Sequence, residues 1–230
     1  MTDPVKVAAV DVDGTLVDSN YQHAVAWFRA FREFDVTVPV WRVHRAIGMG
    51  GDRLVAAVAG DEVERRHGDA LRAAWAELFD PMLGEITGLD GARELLRALR
   101  DNDFSVVLAS SGKPEHVHHY LDLLAARSLV DGWTTADDVD ATKPAPDLIE
   151  VALDKAAGDD VRALAIGDSV WDCHAAGRIG VPTAAVRTGG FGADELTEAG
   201  AVTVCDDLAA LAACLPDLRT AAPRRRQSGD

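Results

Sequence analysis

Six short apolar runs separated by stretches of helical period constrain this chain most. The runs are Val5 to Val10, Ser105 to Ala109, Gly132 to Thr135, Ala163 to Ile166, Thr183 to Val186 and Ala201 to Val204. A strand buried on both faces shows no polar alternation, and parallel neighbours need a crossover, usually a helix, to join them. Ala92 to Arg100, Glu115 to Leu124, Asp147 to Ala157 and Leu208 to Cys214 have helical period and lie between or after the runs. The expectation is an α/β fold, a doubly wound parallel sheet with helices on both faces. Residues 20–85 break the alternation. Ala24 to Phe34, Val40 to Ala46, Asp52 to Ala59 and Glu62 to Phe79 all read as helices, with no convincing strand among them. This is an inserted helical unit. A chain of 230 residues with 48% apolar content is long enough for one large core plus such an insertion.

The chemistry-bearing residues stand at the ends of the apolar runs. Asp11-Val12-Asp13-Gly14-Thr15 follows the first. Alternation along a strand puts Asp11 and Asp13 on one face, and Gly14 supplies a turn. One carboxylate can attack a phosphoryl group while the other manages the proton. Two anions facing a phosphate need a cation, with Mg²⁺ the expected one. Acidic turns after strands also occur as plain loop chemistry. Ser110-Ser111-Gly112 follows the second run and offers hydroxyl and backbone donors to phosphate oxygens. Ser111 fits equally well as the N-cap of the helix starting near Pro114. Lys143, one of four lysines against nineteen arginines, sits in the proline-constrained loop Thr142-Lys143-Pro144-Ala145-Pro146-Asp147. Fixed there, an ammonium would neutralise phosphate and nucleophile together. Asp168 and Asp172, after the Ala163 to Ile166 run, are hard oxygen ligands suited to Mg²⁺.

These four segments, in this order, resemble the haloacid dehalogenase (HAD) superfamily in its phosphatase branch, from Val5 to about Leu215. The resemblance implies a Rossmann-like core, residues 1–18 and 86–215, with a small helical cap at 19–85 hinged near Asp18 to Tyr21 and Gly84 to Gly88. It makes Asp11 the nucleophile and Asp13 the general acid/base, whose backbone carbonyl also ligates the metal. Ser110 and Lys143 become stabilisers of phosphate and intermediate. Asp168 becomes a direct Mg²⁺ ligand, Asp172 binds the metal or its waters, and Ser169 assists. Thr15, Ser111 and Gly112 join the substrate-binding set, with Thr15 shaping the nucleophile loop. The expected activity is Mg²⁺-dependent hydrolysis of a small phosphate monoester, phosphoglycolate- or sugar-phosphate-like, through an aspartyl phosphate. Asp13 argues against the dehalogenase and phosphonatase branches. His23 falls where mutases of the β-phosphoglucomutase type carry a hinge histidine, which keeps a mutase as the alternative. The cap segment Ala46-Ile47-Gly48-Met49-Gly50-Gly51, however, lacks their lysine and arginine. A noncatalytic binding protein on the same fold is a third reading.

In the cap, His23, Arg45 and Arg53 are candidate substrate contacts, and Gly48, Gly50 and Gly51 permit close backbone approach. Solvated helix faces and a helix-to-helix turn explain the same residues. Trp27, Phe28, Phe31 and Phe34 recur at near-helical spacing, as core packing requires. Within Glu115-His116-Val117-His118-His119 only His116 and His119 have a metal-like spacing, and a half-solvated helix face accounts for them. Cys173 beside Asp172 invites a nucleophile reading that adjacency alone does not support. A net charge of −15 disfavours nucleic acid and anionic membranes. Three cysteines without ligand spacing fit a reducing cytoplasm. No signal sequence or membrane span is expected. The expected partner is a small phosphorylated metabolite, the expected state a monomer or homodimer. Residues 216–230, with Arg224 to Arg226, read as a frayed tail.

Overall fold

A computed structural model describes residues 4–156, 161–218 and 220–221. The chain opens with β1, Val5–Val10, then β2, Val17–Asp18. Four helices follow: α1, Asn20–Glu33; α2, Val40–His44; α3, Gly51–Ala59; and α4, Asp61–Phe79. After a 3₁₀ turn at Asp80–Glu85 come β3, Thr87–Gly88; α5, Ala92–Asp101; β4, Phe104–Ala109; α6, Pro114–Leu123; and β5, Gly132–Thr134. The remainder runs α7, Asp147–Lys155; β6, Val161–Gly167; α8, Val170–Arg178; β7, Thr183–Val186; α9, Ala193–Glu198; β8, Ala201–Cys205; and α10, Leu208–Cys214.

Six strands form one sheet in the order β5-β4-β1-β6-β7-β8, every neighbouring pair parallel. The expected doubly wound sheet is the observed one. The chain fills one side of β1 with β4 and β5, then crosses to fill the other with β6, β7 and β8. Val10 therefore pairs with both Leu108 and Ile166, and the strand order reverses at β1. In open α/β sheets this switch point opens the crevice where ligands bind, beyond the carboxyl ends of the strands.

Alternation along β1 shows why the apolar run is continuous. Ala8 and Val10 pack into a core with Leu95, Leu96 and Leu99 of α5 and Tyr120 of α6; Val7 and Ala9 pack with Ile149 and Ala152 of α7 and Ala175 and Ala176 of α8. Both faces are covered, so both must be apolar. The insertion holds its own core: Ala24, Trp27, Ala30 and Phe31 of α1 against Leu54, Val55 and Val58 of α3 and Leu71 of α4. Phe34 packs at its margin. Truncating Phe31, which is fully buried, would cost about 3–5 kcal/mol.

The insertion leaves and rejoins the sheet through a two-stranded antiparallel pair, Val17 to Gly88 and Asp18 to Thr87. This pair stands where the hinge was expected, at strands too short to leave a periodic signal. α8 and α9 also escaped the periodicity reading. The expected extension of α7 to Ala157 lies outside the described residues, as do Arg224 to Arg226. Part of the segment expected to fray is instead held: Leu215–Asp217 forms a 3₁₀ turn, and Ala221 bridges antiparallel to Ala163 of β6.

Candidate active site

Three strand ends and one loop converge at the switch point. Asp11 follows β1, Ser110 follows β4, Asp168 follows β6, and Lys143 comes from the loop between β5 and α7. Asp11, Lys143, Asp168 and Asp172 are all buried. The Lys143 ammonium donates to Asp11 Oδ1 and lies 2.7 Å from Asp172 Oδ1. Thr15 Oγ1 donates to Asp168 Oδ1 at 3.0 Å and to Asp11 Oδ2 at 3.3 Å. Local structure places Asp172. Ser169-Val170-Trp171-Asp172 is the capping box of α8, with Ser169 N and Oγ donating to Asp172 Oδ2 at 3.1 and 2.6 Å. The other carboxylate oxygen stays free for Lys143.

Asp13 has different neighbours. Ser19 precedes α1 at the N-cap position, yet its hydroxyl donates to Asp13 Oδ1 at 2.6 Å, and His23 Nε2 lies 3.0 Å from the same oxygen. Phe79 stacks on the His23 ring at 3.9 Å. The two motif aspartates are thereby separated chemically. Burial pushes the Asp11 carboxyl well above its ordinary range, reinforced by the charges of Asp172 and Asp168 and opposed by Lys143. Burial also works against ionised Asp13, but the His23 charge and the His23 and Ser19 hydrogen bonds outweigh it and hold the group at about 2. Burial and the Asp172 charge push Asp168 up to about 7, against hydrogen bonds from Asn20 and Thr15. Burial opposes the Lys143 charge, but Asp11 and Asp172 raise its pKa overall.

Oxygens of Asp11, Asp168 and Asp172 lie within 4.8 Å of one another. Once the protons that burial favours on Asp11 and Asp168 are displaced, three carboxylates face one ammonium, a surplus of two negative charges in a buried space. Hard oxygen donors and that surplus fit one divalent cation. The Asp13 side chain is turned to Ser19 and His23, outside this set.

Over the acids lies a cavity of about 330 Å³ between the sheet and the helical insertion. Asp11, Asp13, His23, Ser111 and Gly112 line it. Arg45 and Arg53 do not. Arg45 pairs with Glu195, its guanidinium carbon 3.9 Å from the centre of the Phe191 ring, and Arg53 pairs with Asp52 at 3.4 Å while half exposed. One cation that lines the cavity is Arg72 of α4, held by Glu64 at 2.9 Å and Asp69 at 2.8 Å and donating to Gly51 O at 3.1 Å. Lys113 lines it too. Ser110 is buried behind the lining, its hydroxyl accepting from Gly112 N at 3.0 Å, so it shapes the turn that presents Ser111 and Gly112. Thr15 is wholly buried on the acids instead of reaching the cavity. The N-cap of α6 is Lys113, which removes the capping alternative for Ser111. Among the described residues the histidines of α6 form no metal cluster, and His116 pairs with Asp80 at 3.0 Å.

The insertion touches the core beside Lys143. Gly50 N donates to Thr142 Oγ1 at 3.0 Å, and Asp52 accepts from the Thr142 hydroxyl and, at 3.3 Å, from its backbone N–H. On the other flank Trp171 Nε1 donates to Arg45 O at 3.1 Å, and His44 Nε2 lies 3.0 Å from Gly189 O. Gly48, at φ +101°, packs where a Cβ would lie 2.6 Å from Ser169 Oγ. Asp52, Arg72, Trp75 and Thr142 left no sequence signal beyond helical period or loop composition.

An acidic triad, a buried lysine and a helical lid at a sheet switch point define a hydrolase of the HAD type. Residues 5–180 match the family model described as haloacid dehalogenase-like hydrolase, and the chain belongs to that family, in its phosphatase branch with a small helical cap. Among individual proteins it is similar to the validoxylamine A 7'-phosphate phosphatase of Streptomyces hygroscopicus subsp. limoneus, 32% identical over 180 residues, 76% of this chain and 83% of that protein. It is also similar to the phosphoglycolate phosphatase of Vibrio vulnificus, 27% identical over 219 residues, 90% of this chain and 94% of that one. The crystal structure of a hydrolase from Pseudomonas syringae superimposes with a TM-score of 0.84 at 31% identity, covering 93% of this chain and 99% of the other.

Proposed function

We propose that this enzyme hydrolyses a small phosphate monoester, sugar-phosphate- or phosphoglycolate-like, in two displacements on Asp11. The observation that carries the reading is the buried set of Asp11, Lys143, Asp168 and Asp172 beneath a cavity that also exposes Asp13. Asp11 attacks phosphorus, the bond to the leaving oxygen breaks, and Asp13 protonates that oxygen. Water then gives a proton to Asp13 and attacks the phosphorus, and the Asp11–phosphorus bond breaks to release phosphate. Asp13 at about 2 is a carboxylate at rest, suited to the second step; for the first it takes up a proton from solvent as the dianion of a bound monoester raises its proton affinity. Asp11, Asp168, Asp172 and the Asp13 carbonyl would hold Mg²⁺, which offsets the charge of nucleophile and phosphate when bound. Lys143 fixes Asp11 and neutralises it.

The cap, residues 19–85 on the β2–β3 pair, seats on the core to exclude water. Trp27 and Trp75, stacked at 5.4 Å, form an apolar wall of the cavity, which favours the carbon face of a sugar-like ring. The relative acting on validoxylamine A 7'-phosphate supports that choice. The two cations that line the cavity are each matched by acids, Arg72 by Glu64 and Asp69 and Lys113 by Asp80 and Glu115, which speaks against the second phosphate a mutase must hold. No described helix is long and apolar enough to cross a membrane, and we place the enzyme in the cytoplasm, acting on small metabolites as a monomer or homodimer. Phosphate release from a panel of phosphorylated metabolites, with and without Mg²⁺, tests the reading against Asp11→Asn. Metal-dependent release that the variant abolishes is expected. Phosphate migration at constant organic phosphate would point to a mutase instead.

A further inference from the structure

Ser19, Asn20 and His23, at the start of the first cap helix, all reach carboxylates of the core. Ser19 and His23 hold Asp13. Asn20 instead serves Asp168, its Nδ2 donating to Oδ2 over 3.0 Å. Ionised, as a cation ligand must be, the Asp168 carboxylate only accepts, so chemistry fixes which end of the amide faces it. Thr15 donates to the other oxygen of the same carboxylate at 3.0 Å. Donors on both oxygens hold the plane of Asp168 and still leave a lone pair on each for a cation.

The far end of the amide is unexplained by the protein alone. Asn20 is 5% exposed, and its Oδ1 is buried with no hydrogen-bond partner. Buried polar atoms are nearly always satisfied, and water on a bound cation is a strong donor. Gly14 makes room for the arrangement. A Cβ there would lie 2.3 Å from Asn20 Nδ2 and 2.4 Å from Asp168 Oδ2, and its φ of +78° already favours glycine.

We propose that Asn20 is a positioning residue for the cation site, orienting Asp168 with one end of its amide and accepting from a cation-bound water with the other. This rests on reading Asp11, Asp168 and Asp172 as that site. Asn20 belongs to the cap and Asp168 to the core, so cap seating and cation affinity are coupled, each strengthening the other by the same factor. Calorimetric titration of Mg²⁺ into the metal-free full chain tests it, comparing wild type, Asn20→Ala and Asp168→Asn. Melting without Mg²⁺ checks folding separately, and Asn20→Ser replaces the alanine variant should that one not fold. The expected result is a Kd for Mg²⁺ raised about 10- to 100-fold by the Asn20 change, with the metal-free melting temperature near wild type. An unchanged Kd in the Asn20 variant, with binding lost in Asp168→Asn, overturns the role of Asn20 and leaves the cation site standing. An unchanged Kd in Asp168→Asn overturns both.

Discussion

Replacing Gly50 by alanine tests whether the seated cap is the catalytic arrangement. Gly50 is the N-cap of α3 and stands against Thr142, the neighbour of Lys143. A Cβ there would lie 2.2, 2.6 and 2.7 Å from Thr142 Oγ1, Cγ2 and Cβ. Backbone strain plays no part, since φ −74° and ψ 164° are open to any residue. Thr142 is β-branched and stiff at χ1, so no rotation takes all three atoms away. The contact between α3 and the Lys143 loop must therefore open. Losing the two hydrogen bonds of the Thr142 hydroxyl, to Gly50 N and to Asp52, costs about 1 kcal/mol each, and residual overlap adds about 1–2 kcal/mol. A penalty of about 3–4 kcal/mol on closure lowers kcat/KM by roughly 100- to 1000-fold. The cap core around Phe31, Leu54 and Val55 is untouched, so the chain should still fold, its melting temperature lowered by no more than the lost cap–core contact accounts for. Gly177→Ala is the control, with nothing within 4 Å of its Cβ, and should stay within about twofold of wild type. Steady-state kinetics and a thermal melt on the three proteins decide the matter. A Gly50→Ala enzyme within about threefold of wild-type kcat/KM refutes the need for this contact in the reactive state.

Two further outcomes follow from the shifted carboxylate and thiol. With Asp168 at about 7, a cation must displace its proton below that pH, so Mg²⁺ affinity should rise by up to about tenfold per pH unit toward 7, and the Asp11 carboxyl, pushed up as well, adds to the rise. Calorimetry at pH 6, 7 and 8, in buffers of different ionisation enthalpy, reads both the affinity and the proton released; flat affinity over that range refutes the assignment. Burial and the Asp172 charge push the Cys173 thiol up to about 12, so native alkylation by iodoacetamide at neutral pH should run at least about a hundredfold slower than for a free thiol. Intact mass spectrometry checks this, and fast labelling of Cys173 counts against the placement of Asp172 beside it.

Local chemistry was enough to place the strands and the residues at their ends. β1, β7 and α10 match the apolar runs and helical period residue for residue, because burial on both faces of a parallel strand leaves a continuous mark over a few neighbours. The candidate residues Asp11, Asp13 and Asp168 were legible for the same reason, each sitting where such a run stops and the chain turns, whereas Lys143 stood out as a rare lysine in a proline-constrained loop well past β5. Partnership was not legible. Lys143 meets Asp11 across 132 residues and Asn20 meets Asp168 across 148, and only the winding of the sheet about β1 brings those ends together. The cap shows the contrast most plainly: Arg45 and Arg53 read as candidate substrate contacts and Arg72 drew no notice, yet packing turns Arg45 onto Phe191, leaves Arg53 half exposed and carries Arg72 to the cavity. Periodicity reports which face of an element is buried, whereas the identity of the atom opposite depends on how distant elements are stacked, and that is settled only when the whole chain has packed.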